Sequence, residues 1–219
     1  MRKQGMGWER VECVIYKHFG KEPWYYDIAS YLFQRYSSIE MRLMETFRYV
    51  ACHPRNKNTF SYEYASILRD AGSVFSSVLD RLVRETSSVS KPRLDIRDYR
   101  KWLMQLEIPR RIPKKIDRIY SLSVDINFPL KERVLLPFSQ FKNEKERLKW
   151  WEAYNNVKHS ELDKFHDGNF ENAMNSVAAL AILLALFIKG GEGKLFINPG
   201  FYHPEEYLQN LLFFKTEQF

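Results

Sequence analysis

Apolar residues recur at Ile28, Leu32, Tyr36, Ile39, Leu43, Phe47 and Val50, and this three/four spacing predicts an amphipathic helix over 27–50. It should stop before Ala51-Cys52-His53-Pro54, because a residue ahead of proline is pushed out of helical geometry. After a short loop, Ser61 reads as an N-cap with Glu63 in the first turn. Ala65, Leu68, Gly72, Phe75, Leu79 and Leu82 then form one side of a second long helix, 61–85. Two antiparallel helices are the simplest result. Residues 87–94 read as a linker, and Asp95 caps a short helix running to about Glu107, which Pro109 and Pro113 break. Over 122–138 the alternation of Val124, Ile126, Phe128 and Val134-Leu135-Leu136 predicts a small β-hairpin with Pro129 in or near its turn. Helical spacing returns over 143–159, a polar loop follows over 160–168, and an apolar helix spans 169–189. Gly190-Gly191-Glu192-Gly193 stops it. Pro204-Glu205-Glu206 looks like the first turn of a last short helix.

The expectation is a mainly α chain, a helical bundle with a small peripheral β-hairpin, forming one domain over 1–219 with a possible basic insertion at about 91–138. Val177 to Ile188 is an uninterrupted apolar run. It falls short of the roughly 20 residues that a membrane span needs, so it predicts a buried core helix and no membrane partner. With 45% hydrophobic and 28% charged residues, the chain has the balance of a folded globule. Cys13 and Cys52 offer neither a disulfide framework nor metal-ligand spacing, and the first residues lack an apolar signal stretch. A cytoplasmic location is the resulting expectation.

The formal charge of +7 is unevenly placed. Lys91, Arg93, Arg97, Arg100, Lys101, Arg110, Arg111, Lys114, Lys115 and Arg118 face only Asp95, Asp98, Glu107 and Asp117 within 91–118. Such a field attracts polyanions, which makes Arg110, Arg111, Lys114, Lys115 and Arg118 candidate nucleic-acid contacts. A solvated basic loop is the alternative. No glycine-rich phosphate loop, paired metal ligands or nucleophile elbow appears, so no metal or cofactor is expected.

The chemistry-bearing segment is Trp150-Trp151-Glu152-Ala153-Tyr154-Asn155-Asn156-Val157-Lys158-His159. On a helix Trp150, Tyr154 and Val157 share a core-facing side. Asn155 and His159, four apart, share another edge, flanked by Trp151, Glu152 and Lys158. A histidine beside an ammonium and an asparagine is equipment for metal-free RNA cleavage, with proton transfer from a 2′-hydroxyl and a cation at the phosphorane. The plain alternative is a histidine interacting with the helix dipole at its C-terminus.

The string Trp150-Trp151-x-x-Tyr154-Asn155-x-Val157-Lys158-His159, with the following helix Asn175 to Leu184, resembles bacterial proteins of the HEPN superfamily. His53-Pro54-x-Asn56-x-x-Thr59-Phe60-Ser61-x-Glu63, leading into Ala71-Gly72-Ser73-Val74, is similar to the same proteins. The likeness covers roughly residues 38 to 188. It implies an up-and-down helical bundle that dimerises, with active members being metal-independent ribonucleases, often toxins or phage-defence effectors with a cognate antitoxin or defence partner. Their motif combines an arginine, a polar residue and a histidine near the dimer interface. Asn155 matches the polar residue and His159 the histidine, which with Lys158 would make the catalytic set acting on RNA. Tyr154 stands where the arginine belongs in the short spacing, and Glu152 in a longer one. A phenol does not supply a fixed cation. Lys158 could substitute in part. Arg147 is too distant along one helix, at about 18 Å, and would act from a partner copy of a homodimer. His166, in the following loop, is a further accessory candidate. The other function implied is a non-catalytic module that binds RNA, a nucleotide or a partner protein.

Overall fold

The computed structural model describes residues 15, 21–106, 108–109, 116–122, 124–126 and 133–187. Four helices make the body: α1 (Pro23–Thr46), α2 (Tyr62–Thr86), α4 (Lys149–His159) and α6 (Phe170–Phe187). Two shorter ones, α3 (Ile96–Gln105) and α5 (Glu161–Lys164), flank α4 in sequence. The directions follow from contacts. Arg42, late in α1, meets Glu63, Ser66 and Asp70, early in α2. Trp150 and Trp151 open α4 against Phe75, and Glu161 beyond its end meets Arg69. Phe170 opens α6 beside Phe47 and Tyr64, while the Tyr25 hydroxyl donates to the Phe187 carbonyl at its close. The four helices therefore alternate in direction along the chain.

Helix α1 begins earlier than its apolar spacing predicts, because Pro23 at the first turn is preorganised for helix. It also ends earlier, with residues 47–50 in a turn. Ser61 caps α2, its Oγ accepting from the Tyr64 N–H at 3.1 Å. Asp95 and Asp98 form a reciprocal capping box on α3. Helix α4 starts six residues later than the 143–159 reading, since the Asn143 side chain accepts from the Lys145 N–H and holds a turn there. Helix α6 shows a half-exposed face at Glu171, Asn172 and Asn175, and from Ser176 to Leu184 it is buried on all sides, as its apolar run requires. No helix among the described residues is long and apolar enough to cross a membrane.

The expected peripheral β-hairpin over 122–138 is corrected. Only short stretches pair there: β3 (Val124–Ile126) lies antiparallel to β4 (Arg133–Leu135), and residues 127–132, with Pro129, lie outside the described residues. The pair is not peripheral, because Val124 and Leu135 are core residues and β3 abuts α6. Its neighbours are 3-10 turns, Ile119–Ser121 and Ser139–Lys142, whose Ile119 and Phe141 also point inward. A still shorter ladder joins β1 (Ile108–Pro109) to β2 (Ile116–Asp117). Phe138 packs on Phe75, which also meets Trp150, and Phe141 packs on Phe138; this draws the stretch into the bundle, so the architecture is a helical bundle without a sheet layer. The glycine stop at 190–193 and the last short helix at 204–206 lie outside the described residues.

The stretch 87–148 leaves and rejoins the body at one end, where Arg84 donates to the carbonyls of Lys91 and Pro92 and Trp102 Nε1 donates to Thr86. At the opposite end the α1–α2 connection clasps the start of α6. The Phe170 N–H donates to the Thr59 carbonyl at 2.8 Å, Glu171 N–H to Lys57, and Ser61 N–H to Gly168. A Cβ on Gly168 would lie 2.6 Å from that of Ala65, so the clasp needs glycine there.

Candidate functional site

Helix α4 carries the motif across its core face and its exposed edge. Trp150, Trp151, Ala153, Tyr154 and Val157 are buried. Trp151, which flanks the polar edge, packs in an aromatic cluster with Phe75, Tyr99 and Trp150. The indole N–H of Trp150 donates to the Pro137 carbonyl at 2.9 Å, which anchors α4 to the stretch before it. Both tryptophans are therefore core residues, not faces for a base.

Tyr154 is buried with its ring laid on the backbone of α2 at Gly72. Its hydroxyl accepts from Lys158 Nζ at 3.1 Å, one turn on. The amide of Asn155 donates back to the Trp151 carbonyl at 3.0 Å. Two of the three expected catalytic side chains are thus turned onto their own helix. His159 ends α4 exposed, and among the described residues it makes no hydrogen bond or ion pair. Arg147 is 80% exposed and pairs loosely with Glu152 at 3.3 Å, away from His159 at the other end of the helix.

The expected polar loop after His159 is instead α5 followed by a 3-10 turn, Phe165–Asp167. Asn156 donates to Asp167 at 2.7 Å, Asn172 to the Asp167 carbonyl at 2.9 Å and Asn169 to the His166 carbonyl at 3.2 Å. Asn169 also caps α6 by accepting from the Asn172 N–H. This knot holds His166 in place, with its ring exposed and 3.6 Å from Asp167. The asparagines were missed in the sequence, although their density between 155 and 175 was the available signal.

A second missed feature lies beside this knot. Phe60 and Tyr62, on either side of the cap Ser61, pack against Phe165 with centroids 5.6 and 4.5 Å away. Phe60 is 52% exposed, Tyr62 78% and the neighbouring Leu162 wholly so. Alternation of aromatics around an N-cap was the sequence clue.

Of the basic candidates, Arg110, Arg111, Lys114 and Lys115 lie outside the described residues. Arg118 is half-buried and donates to the Met104 carbonyl at 3.3 Å, so it ties α3 to the chain that follows. Among the described residues no cluster of histidine, cysteine and carboxylate side chains could hold a metal ion. No protein-family model, no curated protein and no solved structure matches this chain.

Proposed function

We propose that this chain is a HEPN-like helical module that holds RNA at the end of the bundle where α4 finishes and α2 and α6 begin, and that it does not cut RNA as a single chain. The observation that carries this reading is the use of the motif's polar groups within α4. Asn155 binds Trp151, Lys158 binds Tyr154, and Tyr154 fills a core slot where the resembling nucleases have an arginine. A proton-transfer site needs a histidine with a cation aimed at the same phosphate, and His159 has no such neighbour fixed beside it.

The test is a gel of mixed RNA incubated with the protein in EDTA, run alongside a mobility-shift titration. Retarded but intact RNA is the expected result, with His159→Ala binding about as well. Cleavage that disappears in His159→Ala would overturn the reading. It would favour the second one, a metal-independent ribonuclease completed by Arg147 of another copy, for which the exposure of His159 and Arg147 is the supporting observation.

A further inference from the structure

We infer that the exposed rings of Phe60 and Tyr62, backed by the half-buried Phe165, form a stacking platform for unpaired bases, and that the RNA held at this end is single-stranded; this rests on the RNA-binding reading above. Three observations carry it.

The first is rigid presentation. Phe60 sits in a backbone bridge with Asn169, Ser61 donates to Gly168, and Tyr62 opens α2. Phe165 lies in the turn that the Asn156–Asp167 bond fixes to α4. Rings carried on a backbone tied by these hydrogen bonds have less freedom to lose when a flat partner covers them.

The second is geometry. Tyr62 and Phe165 lie with centroids 4.5 Å apart at 42°, and Phe60 stands edge-on to Phe165 at 87°. The three rings are therefore splayed, not stacked face to face, which leaves separate ring faces at different angles. A rigid duplex presents no base faces to such a surface, whereas a flexible single strand can turn successive bases onto it.

The third is the charge around the rings. The carboxylates at this end are engaged: Glu63 and Asp70 by Arg42, Glu161 by Arg69, and Asp167 by Asn156. The cations Arg55, Lys57 and Lys164 are exposed and, among the described residues, have no carboxylate partner, while Lys158 is held by the Tyr154 hydroxyl; Glu45, Asp163 and Glu171 are the further acids at this end, and Glu171 accepts from Asn175. Rings with such cations nearby in the chain, Lys57 before Phe60 and Lys164 beside Phe165, suit a strand that carries both bases and phosphates.

The experiment is fluorescence anisotropy at low salt with a labelled oligouridylate, a mixed-sequence single strand and a hairpin-free RNA duplex. The wild-type chain should bind both single strands and bind the duplex more weakly. Phe60→Ala with Tyr62→Ala should lose roughly thirtyfold or more, the change for two stacked bases at ~1 kcal/mol each. Phe60→Trp with Tyr62→Phe should keep binding, since a ring face is retained without the hydroxyl. Lys57→Gln with Lys164→Gln should flatten the salt dependence. Unchanged affinity in the double alanine variant, with binding retained, would overturn this inference alone and move the contact elsewhere, for instance to 91–118. Equal or tighter binding of the duplex would also overturn it. Binding of none of the RNAs by the wild-type chain would overturn the RNA-binding reading itself. Circular dichroism of each variant should match the wild type, because the replaced side chains are outside the core.

Discussion

Gly72→Ala is expected to destabilise the protein, against the usual direction for a glycine in a helix. In the interior of an exposed helix this change stabilises by about 1 kcal/mol, because alanine has less backbone freedom to lose. Here the added methyl would lie no more than 2.7 Å from each of three carbons of the Tyr154 ring. The ring has nowhere to retreat: it is buried, and Trp151 lies behind it with centroids 5.0 Å apart. Overpacking of this kind costs about 1–3 kcal/mol and more where backbone is involved. Taking the upper part of that range and subtracting the propensity gain leaves a net loss of about 2 kcal/mol. For a chain of this size that lowers Tm by roughly 4–8 °C. Urea denaturation followed by tryptophan fluorescence measures it directly, because Trp150 and Trp151 sit on the same helix as Tyr154. The decisive comparison is Gly72→Ala in a Tyr154→Leu background. With the ring face gone, the same substitution should become neutral or stabilising by up to about 1 kcal/mol, a coupling of roughly 2–3 kcal/mol. A stabilising Gly72→Ala in the wild-type background would refute the claim that Tyr154 occupies this slot.

Three further outcomes are expected. Ser61→Ala removes the cap of α2 and should cost about 1 kcal/mol in the same denaturation assay, while Ser61→Asp should retain most of it. Trp150→Phe leaves the buried Pro137 carbonyl without its donor and should cost about 1–3 kcal/mol; its loss should appear in thermal melts. Burial alone would raise the Asp95 carboxyl, but hydrogen bonds from the Arg97 side chain and backbone and from Lys91 outweigh it and hold the group at about 2. A carboxyl depressed in the folded state contributes stability that is present above its ordinary value near 3.8 and is lost as pH falls toward about 2. Asp95→Asn should therefore shrink the drop in Tm between pH 4 and pH 2, and an unchanged acid limb would count against this capping network.

The long helices were legible because each turns one regular face toward the core. Ile28 to Leu43 and Ala65 to Leu82 keep their spacing without interruption. Boundaries were less legible where a local side-chain bond competes with the helix, as at Asn143, or where a first-turn proline extends it, as at Pro23. The stretch 122–138 misled because its inward residues at 124, 135 and 138 belong to a short strand pair and a turn packed on the helices, not to a hairpin standing at the periphery. At the site, periodicity placed Tyr154 and Val157 in the core and His159 at the surface. It could not place the partners: that Lys158 turns to the Tyr154 hydroxyl one turn back is a choice among side-chain rotamers, and that Phe165 meets Phe60 and Tyr62 depends on contacts between segments distant in sequence.

Because the stretch 87–148 departs and returns at the end of the bundle remote from the Thr59–Phe170 clasp, the two ends are mechanically separate. A longer or shorter loop there pulls on Thr86 and Lys149, not on Ser61 or Asn169. Between the two ends, helices α2 and α4 are joined side by side through the rings of Phe75, Trp150 and Trp151. Outside the residues that join the core at Val124, Leu135 and Phe138, a change in that stretch meets the ends of α2 and α4 before it meets the aromatic rings at the other end.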